Sequence, residues 1–327
     1  DSMVYLDLTH KSRDFLDDRL GGIMDIYTKF TGIDPREEPM KIFPAVHYSM
    51  GGLWTDYGPD QHGLIDHGSP RNQMTSIQGL FAAGEADYQY HGANRLGANS
   101  LLSCIYTGLM MARGIMNYTD SLEKSADDIP STVFDDARNH WKIRFKEIKK
   151  MNGRENPYQL HQNLGEIMLA NVLIVRDNQS LEKALQDIED IEGRFQDVKC
   201  IDTTDWSNPS PSFINQLYCM IHLSKIITKG ALKRDEFRGS HYKEEYDLKQ
   251  PKDFDPHEYI DYLEEKQYGD ISEEKFPPGH LDYMKRFEEN NAKWLKTTVA
   301  QFKDNKPDIT YEEVNTSLIT PRPRKYD

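Results

Sequence analysis

The stretch between residues 79 and 114 holds the side chains best suited to chemistry. A short apolar run at 80–83 predicts a buried strand that ends at Gly84 and Glu85, and an apolar segment at 98–112 predicts a buried helix. A strand, a glycine turn and a helix N-terminus together present backbone N–H groups to an anion. Glu85 could accept hydrogen bonds from ribose hydroxyls, as acidic residues at strand ends often do. An ordinary turn before a core helix has the same pattern, so both interpretations stay open here.

Two further side chains are suited to holding a carboxylate. Arg95 lies in the polar loop of the same stretch, and His47 lies between an apolar run and a glycine bend. Either residue alone is equally consistent with a structural role. A guanidinium can give two parallel hydrogen bonds to one carboxylate, and an imidazole can donate to a carboxylate oxygen. The residue types alone do not pair these two positions, so a binding role and a structural role stay open for each.

The charge balance excludes some classes of partner. The chain has 327 residues, 40 of them basic and 54 acidic, which gives a net charge of −14. This charge argues against nucleic acid, whose phosphates favour lysine and arginine, and against direct docking on anionic lipid. The most apolar predicted helix, at about 100–112, is too short to span a bilayer.

The sulfur and imidazole groups do not suggest a metal site. Cys104, Cys200 and Cys219 form no C-x-x-C pair, and we expect them to be reduced core thiols. His62 and His67 lie in a polar loop without a companion set of cysteines or carboxylates at metal-ligand spacing. The sequence therefore predicts neither a metal centre nor a disulfide framework.

Hydrophobic periodicity predicts the elements that position these residues. Apolar stripes at helical spacing predict a bundle of four helices between residues 119 and 235 and a further helix within 1–38. β-Branched and aromatic residues predict short strands on both sides of the Gly51–Gly52 bend, at 294–302 and at 309–314. The acidic, tyrosine-rich segment at 249–290 is expected to be a solvated surface elaboration.

Five motifs together resemble one family. They are HYSMGG at 47–52, GLFAAGE at 79–85, HGANRLGANSLL at 91–102, RGSHYKEEY at 238–246 and WLKTT at 294–298. These motifs are similar to those of the flavoprotein subunit of succinate dehydrogenase and fumarate reductase. The resemblance implies an α+β multidomain fragment with four parts. These are the end of a capping domain (1–38), the C-terminal half of an FAD-binding domain (39–118), a helical bundle domain (119–235) and a C-terminal region with short strands (236–327), with an acidic insertion at about 250–290.

The resemblance also implies a function. The family oxidises succinate to fumarate by hydride transfer to covalently bound FAD and passes electrons to an iron–sulfur subunit and to quinone at a membrane-anchor cytochrome b subunit. His47 and Arg95 match its substrate-carboxylate residues, Glu85 its ribose contact, and Ser100 and Leu101 its isoalloxazine contacts. No nucleic acid partner and no metal ligand in this chain are implied. The expected location is peripheral, on the cytoplasmic face of a bacterial inner membrane.

Several family features have no counterpart in this sequence. No G-x-G-x-x-G occurs, and the chain starts at Asp1 in mid-pattern, so we expect a C-terminal fragment. The family's proton-accepting arginine and its flavin-bonded histidine would lie upstream, which leaves no catalytic residue in this chain and predicts that it is inactive alone. Ala98 replaces a glycine that many relatives have. The segment 238–241 is expected to be structural, fixing the helical domain against the flavin domain.

Three alternatives remain at this point. Fumarate reductase runs the reverse reaction at the same site, and L-aspartate oxidase has similar HGANR and RGxH segments. The long C-terminal region ending in PRPRKYD favours the dehydrogenase over the oxidase. A standalone helical interaction domain, without catalysis, is the alternative from a different class.

Overall fold

The computed structural model describes residues 3–43, 47–88, 90–269, 271, 275–304 and 306–324. The chain divides into two compact units, residues 1–49 and 50–327. In the first unit, β1 (Val4–Leu6) pairs antiparallel with β2 (Met40–Ile42), and α1 (Arg13–Thr31) connects them. Helix α1 matches the helix predicted within 1–38. Its N-terminus is capped by the Ser12 side chain, and it ends at Gly32 in the left-handed conformation.

The second unit starts with a region of single β-bridges rather than strands. Thr55 bridges to Thr75, and Met74 bridges to Phe81. The strand predicted at 80–83 is wrong, because Phe81 makes only this one bridge and Leu80 is 50% exposed. The run is only four residues long, and within the described residues it meets a single partner position instead of a continuous ladder. A short 3-10 turn, Gly84–Ala86, follows it.

Helix α2 (Asn99–Asp120) is longer than predicted and is not a buried helix. One stripe at helical spacing is buried and consists of small or polar residues, except for a single methionine: Ser103, Thr107, Met110 and Gly114. Gly114 sits so close to residue 72 that an added Cβ would lie 2.4 Å from the Asn72 carbonyl oxygen. The large apolar side chains point away from this contact and are exposed, namely Leu101, Leu102, Ile105, Leu109 and Met116.

The predicted four-helix bundle is confirmed. It consists of α3 (Ser131–Lys150), α4 (Pro157–Asn171), α5 (Asn178–Phe195) and α6 (Ser210–Leu232). Asn156 and Asp177 cap the starts of α4 and α5 with their side chains, which ends each preceding loop at a defined residue. Most of the predicted stripe residues form one shared core that includes Leu160, Leu164, Ile188, Ile214, Leu217 and Ile221. Leu181 and Ala184 pack in a second cluster with Val172 and Ala231.

The acidic segment is a packed element rather than a solvated elaboration. Helices α7 (Glu258–Tyr268) and α8 (Pro278–Trp294) enclose an aromatic core of their own. Its fully or nearly fully buried members are Phe254, Tyr259, Tyr262, Phe276, Leu281, Tyr283 and Met284. The prediction was wrong because the aromatic residues that make the segment tyrosine-rich recur on the inner face of each helix, while the exposed acidic residues are Asp261, Glu264, Asp282 and Glu289.

The two C-terminal strands are confirmed. β3 (Lys296–Lys303) pairs antiparallel with β4 (Lys306–Glu313), in register from Lys296 opposite Glu313 to Lys303 opposite Lys306. Among the helices of the described residues, none combines the length and the hydrophobicity that a bilayer-spanning segment needs.

Candidate functional site

The Gly84–Ala86 turn packs directly against α2. The Gly84 N–H donates to Thr107 Oγ1 at 2.7 Å, and Gly84 has φ +71. A Cβ on Gly84 would lie 3.1 Å from Cys104 Sγ, so both the positive φ and this close approach favour glycine here. The contact leaves Glu85 exposed on the outside of the turn. A carboxylate in this position is accessible to a ligand that lies along the same surface.

A buried polar network lies beneath this turn. Gln73 is 1% exposed, and its amide donates to Ala82 O at 2.8 Å and to Asp87 Oδ2 at 3.0 Å. Its amide oxygen accepts from the Tyr90 hydroxyl at 2.8 Å, and burial raises the pKa of that phenol well above its usual range. The network fixes the start of the loop that carries Arg95. The sequence analysis missed Gln73, because nothing in a loop sequence shows that its partners lie 9 to 17 positions away.

Helix α2 begins without a side-chain cap. Its N-cap residue, Ala98, is in the left-handed conformation at φ 64, ψ −2, and makes no side-chain capping hydrogen bond, while the Asn99 N–H donates to Leu96 O at 3.3 Å. Ser100 and Leu101 lie in this first turn, and the Leu101 side chain is 74% exposed. Uncapped N–H groups carry a partial positive charge that favours an anionic or electron-rich group. These residues therefore fit a cofactor that rests on the helix N-terminus.

Arg95 lies between the turn and the helix, in a loop that is held on both sides. The ring of His91 contacts Ser103 Oγ at 3.0 Å, which ties the start of the loop to α2. The half-buried Arg95 side chain donates from Nη1 to Leu96 O at 3.1 Å. The structure thus brings Glu85, Arg95, Ser100 and Leu101 onto one turn, loop and helix start.

His47 lies in the first unit and is exposed. Its role as the second carboxylate ligand, beside Arg95, stays a prediction. His62 and His67 are also exposed, as expected of residues in a polar loop.

The segment 238–241 contacts the Arg95 loop. It forms a tight turn in which Arg238 and His241 exchange backbone hydrogen bonds of 3.0 Å. The Ser240 N–H and hydroxyl both donate to Ala93 O, at 2.9 and 2.8 Å. These contacts agree with the expectation that this segment is structural.

The left-handed conformation of Ala98 is one that glycine adopts more easily than alanine, and this leads to a prediction. Ala98→Gly in the full-length protein should raise the apparent thermal midpoint, by the equivalent of about 1 kcal/mol, because it removes a Cβ penalty and gives a better N-cap. Ala112→Gly is the matched control, in the interior of the same helix, and should lower the midpoint by a similar amount. An equal decrease of the thermal midpoint in both variants would contradict the proposal that the backbone is strained at residue 98.

Comparison with known families gives two matches. The family described as fumarate reductase flavoprotein C-term matches residues 161–326, which is half of the chain. A family described as an FAD binding domain matches residues 1–101, including Arg95 and the start of α2.

Individual relatives support the same family. The succinate dehydrogenase flavoprotein subunit of Bacillus subtilis is 43% identical over 328 aligned residues, which cover 100% of this chain and 47% of that protein. The fumarate reductase flavoprotein subunit of Haemophilus influenzae is 29% identical over 75% of this chain and 38% of its own length. The chain thus spans less than half the length of these curated relatives.

Solved structures share the fold. The FrdA chain of E. coli quinol fumarate reductase superposes with a TM-score of 0.71 at 23% identity, covering 98% of this chain and 45% of FrdA. Mycobacterium smegmatis Sdh1 superposes with a TM-score of 0.58 at 26% identity, covering 74% of this chain and 38% of Sdh1. The chain therefore belongs to the succinate dehydrogenase and fumarate reductase flavoprotein family, whose cofactor is FAD.

Proposed function

We propose that this chain is the C-terminal part of the catalytic flavoprotein subunit of a succinate:quinone oxidoreductase. The observation that carries the proposal is the position of Arg95, in a loop between the turn of Glu85 and the uncapped start of α2. The dehydrogenase direction is favoured over fumarate reduction because the B. subtilis succinate dehydrogenase subunit is 43% identical, against 29% for the H. influenzae fumarate reductase subunit.

Arg95 would bind one carboxylate of the dicarboxylate substrate. Its planar guanidinium can donate two parallel hydrogen bonds, which fixes the orientation of the carboxylate as well as its position. His47 would donate to the same or the neighbouring carboxylate oxygen. Orientation of a substrate by contacts of this kind contributes several kcal/mol to many enzymatic reactions.

Glu85, Ser100 and Leu101 would form one wall of the FAD site. Glu85 would accept hydrogen bonds from the ribose of the adenosine part, and Ser100 and Leu101 would contact the isoalloxazine at the start of α2. FAD held by these residues would supply the two-electron redox chemistry of the reaction. The N-terminus of α2 would stabilise negative charge placed beside it, by roughly 0.3–1 kcal/mol and more when the site is buried.

Other functions of the complex would come from outside these 327 residues. The residue that accepts the substrate proton and the histidine that bonds to FAD would belong to the remainder of the full-length subunit. We propose an iron–sulfur subunit and a membrane-anchor cytochrome b subunit as the partners that carry electrons to quinone. The flavoprotein would then be peripheral, on the cytoplasmic face of the bacterial inner membrane.

His47→Ala in the full-length flavoprotein tests the substrate role. We expect the wild-type protein to reduce an artificial electron acceptor with succinate. In the variant, the dissociation constant for malonate should rise about 10-fold, which is the loss of one charge-assisted hydrogen bond, while FAD content stays the same. Malonate binding is measured from the change it causes in the flavin absorption spectrum.

His67→Ala is the matched control, since His67 is an exposed histidine of a polar loop. It should leave both malonate affinity and turnover unchanged. Loss of flavin with unchanged malonate affinity in His47→Ala would give His47 a structural role. Absence of succinate-dependent turnover in the wild-type full-length protein would contradict the proposed function itself.

A further inference from the structure

The Ala93 carbonyl accepts two hydrogen bonds from one residue of the C-terminal region, Ser240. The Ser240 N–H donates to it at 2.9 Å and the Ser240 hydroxyl donates to it at 2.8 Å, so both of its lone pairs are occupied. Ala93 is two positions before Arg95 in the same loop. The contact joins residues 147 positions apart in sequence, and it therefore fixes the loop from outside the flavin-binding segment.

The contact between the turn and the loop can be this close because Gly239 has no side chain. This glycine has φ +57, and a Cβ at this position would lie 2.5 Å from Ala93 O and 3.0 Å from Ala93 Cβ. Any side chain would therefore collide with the backbone of the Arg95 loop, in addition to the cost of the left-handed conformation. Relief of the collision requires the loop or the turn to move.

The turn is held against movement by a buried ionic network. Glu236 is 0% exposed, and its two carboxylate oxygens pair with Arg234 Nε at 2.6 Å and Arg238 Nε at 2.8 Å. Arg238 also donates to Asn291 Oδ1 of α8 at 2.8 Å, and Arg234 donates to Lys296 O of β3 at 2.9 Å. A buried carboxylate with both oxygens paired has one well-defined geometry, because each lost partner would leave an unpaired buried charge.

The other end of the turn is held by His241. Its Nε2 lies 2.8 Å from Arg234 O and its Nδ1 lies 2.7 Å from Arg176 Nη1. Burial lowers the pKa of His241 to about 4, so the ring is neutral at pH 7. A neutral ring with its proton on Nε2 donates to the carbonyl and accepts from the guanidinium, which satisfies both contacts. The 238–241 turn is therefore held in place on both sides. If a side chain at 239 collided with Ala93, we expect the Arg95 loop to move and the turn to stay.

We infer that Gly239 and Ser240 are positioning residues for Arg95. They do not contact the substrate. They set the place of the Ala93 carbonyl, and through the next two residues they set the place of the guanidinium that binds the dicarboxylate. A shift of about 1 Å in such a group can cost about 100-fold in rate. The inference rests on the proposed function, because it gives Arg95 the role of substrate ligand.

The test uses the full-length flavoprotein with FAD bound. In Gly239→Ala, the dissociation constant for malonate should rise about 10-fold or more and kcat/KM for succinate should fall by at least as much, while FAD content stays the same. Ser240→Ala loses the hydrogen bond from the hydroxyl to Ala93 O and should raise the dissociation constant for malonate about 3-fold. Ser240→Thr keeps the hydroxyl and should restore most of that affinity.

Two controls separate positioning from loss of stability. Gly165→Ala adds the same methyl group in α4, where nothing lies within 4 Å, and should leave malonate affinity unchanged. Leu160→Ala removes a fully buried side chain from the bundle and should lower the thermal midpoint without changing malonate affinity in the folded protein. If the turn had only a structural role, Gly239→Ala would lower the thermal midpoint without changing malonate affinity, as expected of Leu160→Ala. That result would overturn the inference.

Arg95→Lys distinguishes failure of this inference from failure of the proposed function. If Arg95→Lys loses malonate affinity and both Gly239→Ala and Ser240→Ala keep it, the positioning role is wrong and the function stands. If Arg95→Lys keeps its malonate affinity, the substrate role of Arg95 is wrong, and the positioning role of Gly239 and Ser240 is then wrong as well. Should Gly239→Ala fail to fold, the Ser240→Ala and Ser240→Thr pair decides the outcome alone.

Discussion

Arg95→Lys in the full-length flavoprotein is expected to lower kcat/KM for succinate by about 100-fold, through loss of bidentate carboxylate binding. The ammonium of lysine keeps the positive charge but offers no planar pair of donors, so the carboxylate would be attracted without being oriented. The loop has a fixed place, through His91 on α2 and Ala93 on the 238–241 turn. A change of the side chain alone leaves these backbone contacts intact, so we expect the backbone to stay in place and not to compensate for a differently shaped side chain.

Steady-state assays with succinate and an artificial acceptor measure this effect, together with malonate titration of the bound flavin. Arg71→Lys is the matched control, because Arg71 is a largely exposed arginine of the same region that pairs with Asp56. It should retain normal kcat/KM, since exposed ion pairs contribute little. Near-normal kcat/KM in Arg95→Lys would remove Arg95 from the substrate site.

The parts of the fold that the sequence predicted correctly depend on local pattern. In α5, Leu181, Ala184 and Ile188 recur at helical spacing behind the capping residue Asp177, and all three are buried in the structure. Strands β3 and β4 were predicted from the β-branched and aromatic residues of their own segments, while their antiparallel pairing is known only from the structure. Periodicity and capping specify such elements without reference to distant parts of the chain.

The parts of the fold that the sequence predicted wrongly depend on tertiary contacts of each segment with distant parts of the chain. The run at 80–83 is as apolar as a buried strand, but within the described residues it makes one bridge, to Met74. The apolar residues of α2 indicated a buried helix, yet the face in contact with the rest of the unit is the one with Ser103, Thr107 and Gly114. Hydrophobicity alone does not show which face of a helix is covered.

The candidate site combines both kinds of information. The turn, loop and helix start that carry Glu85, Arg95 and Ser100 follow one another in sequence, so the motif was visible before the structure. The Gln73 network below the turn and the Ser240 contact to Ala93 were not, because they join positions 9 to 147 residues apart. The roles of His47, Glu85, Arg95, Ser100 and Leu101 came from a family resemblance and stay predictions.

The 327-residue chain on its own is expected to bind FAD poorly and to show no succinate dehydrogenase activity. Its relatives are about twice as long, and the apolar face of α2 is open, with Leu101 74% and Leu109 65% exposed. The proposed flavin wall on this exposed face would exclude little water and make few contacts. The proposed proton acceptor lies outside these residues, and loss of a general base costs about 10²–10⁴-fold in rate.

The same argument predicts which part of the isolated chain stays folded. The helices from α4 to α6 bury one another, so hydrogen exchange should be slow there and much faster in residues 50–98, where the described residues pair through isolated β-bridges instead of continuous strands. Flavin absorbance after gel filtration with added FAD measures cofactor binding, and acceptor reduction with succinate measures turnover. The full-length protein is the positive control for both assays. Stoichiometric flavin with measurable turnover in the 327-residue chain would contradict the division of the site, because this chain would then hold both the complete cofactor site and the proton acceptor.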